Sequence, residues 1–373
     1  MPYAELSTVS HRVRLGAPLP FNVRDGDQTL LLARGEMVQS HEQLEAILRR
    51  GALVDIAELQ LPREQILQAP RELLPRLWNH ALAQLGHTLA MAGASDFRHA
   101  LAEAATPVQA LVERDPDLAI FQVLRHDANE DCAYGVQRSQ QTAITSLLVA
   151  QRLGWEPEEA ERAFKVALTM NLSMLELQGQ LAHQASAPSP QQRHALRTHP
   201  MRSVRMLELA GVADAVWIKA VLQHHEVEDG SGYPSGCSDV SDLASLVRRA
   251  DVYTSKLTSR GSRDAVAADL AGRQMFMQDP GHPMTAALVK EFGIYPPGCH
   301  VRLASGELAV VVARGPSITT PLVACLSDAS GAPLPMPVRC DTTDRKRAVL
   351  AVVGEGSVKS RMPLDRLLAA LAQ

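Results

Sequence analysis

The sequence predicts a mainly α protein: a helical bundle flanked by a small N-terminal α+β module and a small C-terminal β domain. Three observations predict it. Hydrophobic residues make up 46% of the 373-residue chain, Ala and Leu dominate, and only 4% are aromatic, a balance that favours helices. The middle of the chain spaces its apolar residues as helices do. Both ends show short apolar runs separated by turn residues instead.

Residues 1–62 form the N-terminal module. Leu15 to Val23 reads as extended, Asp25-Gly26 as a hairpin turn and Thr29 to Ala33 as the return strand. The capping box Ser40-His41-Glu42-Gln43 opens a short helix that runs through Leu44 and Leu48 and stops at Gly51. Residues 63–130 are expected to be a linker and a helical connector. Leu61 to Pro75 carries three prolines, and Arg76 to Met91 and Phe97 to Leu111 have helical spacing.

Residues 131–296 are expected to be the main helical domain. Ser139 to Leu153 puts Ile144, Leu147 and Leu148 on one face and ends at Gly154. Pro157 with Glu158 and Glu159 opens the next helix, as first-turn proline and acids should. Its core stripe is Ala160, Phe164, Leu168, Leu172 and Leu175, which places Met170, Asn171 and Met174 inside the same helix as core filling. Ser189-Pro190-Gln191-Gln192 opens a further helix, expected to break at Pro200 and leave His199 at the break.

Residues 297–373 are expected to be the β module. Val301 to Leu303, the turn Ser305-Gly306 and Leu308 to Val312 make a hairpin. Leu322 to Leu326, the turn Ser327 to Gly331 and Ala348 to Val353 add strands, and Leu364 to Leu371 closes the chain as a helix after Pro363.

The composition excludes several classes. A formal net charge of -4 gives no electrostatic footprint for nucleic acid. The five cysteines (Cys132, Cys237, Cys299, Cys325, Cys340) are scattered, with no CxxC, so neither a disulfide framework nor a zinc ribbon is indicated. The first twenty residues lack an apolar signal core and no run of 18 apolar residues occurs, so no membrane span and a cytoplasmic location are expected.

The most informative stretch is His224-His225-Glu226-Val227-Glu228-Asp229-Gly230-Ser231-Gly232-Tyr233-Pro234. It sets two imidazoles and a carboxylate at the end of the apolar segment Ala215 to Leu222, then adds a glycine-rich turn. Imidazole is the commonest protein ligand for transition metals, so neighbouring histidines at a helix end can converge on one ion. Taken alone, the same residues also describe a polar helix terminus. Asp251 follows Val247 and Leu243 by four and eight residues, on the stripe that a helix would bury. A buried carboxylate requires a cation or donors, and His199, His224 and His225 are the candidates, with or without a metal.

That stretch, HHExxDGxGYP, closely resembles the signature of the HD-GYP domain, a helical subgroup of the HD metal-dependent phosphohydrolases that hydrolyses cyclic di-GMP in bacteria. Thr198-His199-Pro200 with Ser203 and Met206-Leu207 resembles the family's upstream helix. Arg249-Ala250-Asp251-Val252-Tyr253 with Leu257-Thr258-Ser259-Arg260 resembles its late aspartate helix. The resemblance covers Asp131 to Pro296 and implies an HD-domain helical bundle.

The chain departs from that pattern where the family carries its His-Asp pair, usually HDxGK. Met170 stands at the histidine, Asn171 at the aspartate and Met174 at the lysine. One helix earlier, Gln137 and Ala133 fall where the family has a histidine and a glutamate. No catalytic residue is therefore expected, and the retained metal set is His199, His224, His225 and Asp251, for at most one zinc, iron or manganese ion. The resemblance further implies that Arg260 and Arg263 contact the phosphates of cyclic di-GMP. It implies too that the motif loop Asp229, Gly230, Gly232, Tyr233 and Pro234 docks a signalling protein such as a diguanylate cyclase. The expected function is that of a catalytically degenerate regulator in cyclic di-GMP signalling. An active phosphodiesterase with a shifted ligand set, and a structural scaffold without a ligand, are the alternatives.

Overall fold

The computed structural model describes residues 3–55, 63–93, 96–125, 131–258, 265–354 and 366–367. The N-terminal module pairs β1 (Tyr3–Glu5), β2 (Val23–Arg24), β3 (Leu30–Leu32) and β4 (Leu53–Asp55) in the order β1-β4-β2-β3, with helix α1 (His41–Arg49) between β3 and β4. Ser40 caps α1 by accepting from the Gln43 N–H. Leu6, Leu19, Phe21, Val23, Val38, Ala52 and Val54 close a core of their own. Of the extended stretch expected from Leu15 to Val23, only Val23 lies in a strand, at the start of β2.

A second, larger core runs from Ile66 through the helices and into the C-terminal sheet. The expected linker is partly helical: α2 (Arg63–Leu67) buries Ile66 in this core. Then come α3 (Leu74–Ala90), α4 (Phe97–Arg114), α5 (Pro116–Leu124), α6 (Asp131–Arg152), α7 (Pro157–Thr169), α8 (Leu175–His183), α9 (Pro190–Leu209), α10 (Ala215–Gln223), α11 (Asp242–Leu257), α12 (Ala268–Gln278) and α13 (Pro283–Phe292).

Helix α6 is the centre of the bundle, packed against α3, α5, α7, α8, α11 and α13. Apolar periodicity alone did not reveal this, because much of its buried surface is polar: Arg138, Ser139, Gln141, Thr142, Thr145 and Ser146 are all buried. The hydroxyls solve that locally. Those of Ser139, Thr142, Thr145 and Ser146 each donate to the carbonyl four residues back, at 2.8–3.1 Å. Gly135 is forced by close approach: a Cβ there would lie 2.2 Å from the Leu175 carbonyl oxygen.

Two helix assignments need correction. The segment after Pro157 is not one helix. It stops at Thr169, makes a tight turn through Met170–Met174 and restarts as α8. Tertiary bonds hold the turn against the helical propensity of its residues: the Ser203 hydroxyl accepts from the Ser173 N–H at 3.2 Å, and the Ser173 hydroxyl donates to the His199 carbonyl at 3.0 Å. Conversely, α9 does not break at Pro200 but continues to Leu209 with the proline inside it.

The C-terminal sheet has the order β8-β7-β6-β5-β9, formed by β5 (His300–Leu303), β6 (Leu308–Ala313), β7 (Leu322–Ser327), β8 (Pro333–Asp341) and β9 (Val349–Val353), all antiparallel. The reading from sequence missed β8, whose Pro333, Pro335 and Pro337 argue against a strand; its place at a sheet edge explains how they are tolerated. The β7–β8 pairing also brings two of the scattered cysteines together, with the sulfurs of Cys325 and Cys340 2.7 Å apart. The sheet meets the bundle at α5, where Arg314 pairs with Asp117 and, at 3.0 Å, with Glu291. Most of the expected closing helix, Leu364 to Leu371, lies outside the described residues.

Gly135→Ala tests the packing of α6 directly. It is expected to destabilise the chain by about 1–3 kcal/mol, the usual cost of overpacking, read as a lower denaturant midpoint at an unchanged slope. An unchanged midpoint would mean that α6 and the Met170–Leu175 turn do not touch.

Candidate metal centre

Two carbonyls aim the central imidazoles. Pro200 has no N–H, so the Leu196 carbonyl four residues earlier loses its helical partner. The His199 ring takes it up, donating from Nδ1 at 2.6 Å. Val221 lies in the last turn of α10, where carbonyls lack intrahelical donors, and the His224 ring donates to it from Nδ1, also at 2.6 Å. A carbonyl can only accept, so both rings carry their proton on Nδ1 and present a lone pair at Nε2.

Those two Nε2 atoms face each other at 3.0 Å. Facing lone pairs call for a cation between them, and nitrogens each about 2.1 Å from one tetrahedral-to-right-angled ion would stand about 3.0–3.4 Å apart. His225 completes the group: donor atoms of His199, His224 and His225 all lie within 4.8 Å of one another. Burial, then the neighbouring imidazole, lowers the pKa of each ring to about 3, so all three are neutral ligands near pH 7. The donor set fits one transition ion.

The motif loop packs on this centre. Tyr233 stacks on His225 with ring centroids 4.5 Å apart. Burial, then the charge of Asp251, raises the Tyr233 pKa, so the phenol stays neutral. Gly232 is required by contact, since a Cβ there would come within 2.5 Å of the backbone at His225, Glu226 and Val227. Gly230 has a φ of 77°, Asp229 caps the Ser231 N–H at 2.8 Å, and the Tyr233-Pro234 bond is cis. Sequence reasoning gave Glu226 no role, yet it anchors the loop: its carboxylate is buried and accepts from the N–H groups of Ser235 and Gly236 at 2.7 and 3.1 Å.

Asp251 needs a correction. It does not hydrogen-bond the imidazoles and is partly, not fully, buried. Its carboxylate accepts from the Arg138 guanidinium at 2.8 Å, and the Thr142 hydroxyl lies 3.5 Å from the same oxygen. Its charge nevertheless reaches His199, His224 and Tyr233. The α6 residue that engages Asp251 is Arg138. Gln137, about 100° round the helix, donates instead to the Arg125 carbonyl at 3.2 Å and lines a separate cavity with Asn79 and His87. Nothing in the sequence flagged Arg138; its place within a run of buried polar residues, one turn before Thr142, was the available signal.

Asn171 is buried in the turn beside α9, and its carboxamide oxygen has no partner among the described residues. Met170 and Met174 are buried with it. Arg260 and Arg263 lie outside the described residues.

Comparisons with known proteins give three similarities. A family model described as HD domain matches residues 122–271. This part of the chain is similar to HD domains. The cyclic di-GMP phosphodiesterase PA4108 of Pseudomonas aeruginosa is 29% identical over 276 residues, which span 70% of this chain and 64% of that protein. A solved structure, Bd1817, an HDG"Y"P protein from Bdellovibrio bacteriovorus, superposes with a TM-score of 0.49 at 16% identity, covering 78% of this chain and 98% of that one. The three histidines and the loop that stacks on them all fall inside the matched residues. Among the described residues, no helix is long and apolar enough to cross a membrane.

The burial of the three imidazoles sets a pH dependence. Unfolded, they take up protons around pH 6.5; folded, only around pH 3. The unfolded chain therefore binds more protons between these values, and their contribution is whole above pH 6.5 and lost as the pH falls toward 3. With chelator present, the melting temperature is expected to drop between pH 7.5 and 5, and less so in His225→Gln. Equal pH sensitivity in the two proteins would show that these rings are not held neutral by burial.

Proposed function

We propose that this chain is a regulator in bacterial cyclic di-GMP signalling whose HD domain binds but does not hydrolyse the nucleotide, and which acts by sensing it or by docking a partner such as a diguanylate cyclase. The observation that carries the reading is the chemistry of the groups at the signature positions: three neutral imidazoles with donor atoms within 4.8 Å of one another, a buried carboxamide and two buried thioethers at Asn171, Met170 and Met174, and an Asp251 carboxylate already engaged by a guanidinium.

Two-metal hydrolysis of a phosphodiester needs a group that holds two cations about 3.5–4 Å apart and clamps both the attacking and the leaving oxygen. Asn171 has a single neutral carbonyl oxygen, a poor bridge between dications. Met170 would present a soft thioether, unsuited to a hard or borderline ion. His199, His224 and His225 would hold one zinc, iron or manganese ion, which when bound supplies a single Lewis-acidic point. Around it, the Leu196 and Val221 carbonyls fix the two facing rings, and Tyr233 covers the third. Asp229 and Ser231, exposed at the tip of the loop, give a partner something to grip.

The similarity to a cyclic di-GMP phosphodiesterase and the intact histidines favour a second reading, an active enzyme with a shifted ligand set. Chromatography of cyclic di-GMP incubated with the protein and manganese, iron, magnesium or zinc separates the two. No linear dinucleotide is expected, while calorimetry registers binding. Turnover on the order of 1 per second or more, abolished by His224→Ala, would overturn the proposal.

A further inference from the structure

Arg138 is 3% exposed, and an arginine buried to that degree requires a counter-charge. It finds one in Asp251, donating to the carboxylate at 2.8 Å and to the same residue's backbone carbonyl at 3.1 Å. Both ends of this pair are fixed. Gly135 lets α6 sit against the turn that leads into α8, one turn before Arg138. One turn after it, the Thr142 hydroxyl lies 3.5 Å from the carboxylate and 3.1 Å from the Thr254 hydroxyl on the aspartate's own helix. Asp251 in turn belongs to the electrostatic neighbourhood of the histidines, since its charge is felt at His199, His224 and Tyr233.

We propose that Arg138 is a built-in cation that occupies the carboxylate a second metal ion would need, and so limits the centre to one ion. The inference rests on the one-ion reading given above. A guanidinium keeps its charge at any accessible pH, has five donors and no lone pair to give a metal. Where it sits on Asp251, it neutralises that carboxylate and repels a dication that approaches the same oxygen. A neighbouring positive charge in a buried setting is felt far more strongly than in water. The donor atoms of the three imidazoles, all within 4.8 Å of one another, are left for the first ion.

The test is the number of manganese ions per chain, read by elemental analysis after dialysis and by the electron paramagnetic resonance spectrum at increasing manganese. Wild type is expected to hold one ion with an isolated six-line signal. Arg138→Gln is expected to take up a second ion at least tenfold more tightly than wild type does. Arg138→Gln with Asp251→Asn should return to one, and Arg138→Lys, which keeps the charge, should stay at one. One ion in wild type and still only one in a folded Arg138→Gln protein overturns the proposal. So does an exchange-coupled manganese pair in wild type, a result that needs no variant to fold. A wild type that takes up no ion overturns the one-ion reading itself, which separates that failure from failure of the Arg138 assignment.

Discussion

The hydrogen bond from His199 Nδ1 to the Leu196 carbonyl decides what this centre is. It exists because Pro200 cannot supply the N–H that would otherwise occupy that carbonyl, so a residue that ordinarily disrupts a helix here creates an acceptor at a defined place. The ring tautomer follows, then the direction of the Nε2 lone pair, then the meeting with His224 at 3.0 Å. At the end of α10 the helix terminus does the same work for His224 that the proline does for His199. Neither ring relies on a second side chain for its aim. Backbone groups do not titrate near neutrality, so the tautomers hold under conditions that would protonate a carboxylate partner.

Much of the fold was legible, for reasons that particular residues illustrate. Ser40, Pro157 and Ser189 announce helix starts because caps and first-turn prolines act within one turn of chain. The histidine cluster was legible because two of its members are adjacent and the third precedes a proline. What escaped notice was non-local. The turn at Met170–Met174 is held by Ser203 and by the His199 carbonyl, some 30 positions on, against residues that would propagate a helix. Arg138 was invisible because its partner lies 113 positions away. A one-residue difference on α6 then exchanged Gln137 for Arg138 at the site, a reminder that a helix turns about 100° per residue.

The interior of α6 illustrates a related point. A helix that buries hydroxyls and carboxamides alongside its aliphatic residues scores poorly on any apolar pattern, although it is the central element of the bundle. Ser139, Thr142, Thr145 and Ser146 return their hydrogens to their own helix, and Gln140 and Gln141 donate to the Leu82 and Arg125 carbonyls. Such a helix can carry a charged residue in its midst because its surroundings already contain dipoles able to orient around that charge.

The strand β8 has a bearing on how the molecule behaves in company. It forms one margin of the C-terminal sheet, and three of its first five residues are prolines. A margin of this kind offers few amide hydrogens for another polypeptide to latch onto, so neighbouring molecules in a crowded cell have little purchase for zipping their own strands alongside it. The same prolines that hid the strand from pattern reading thus equip it as a guard against runaway self-assembly.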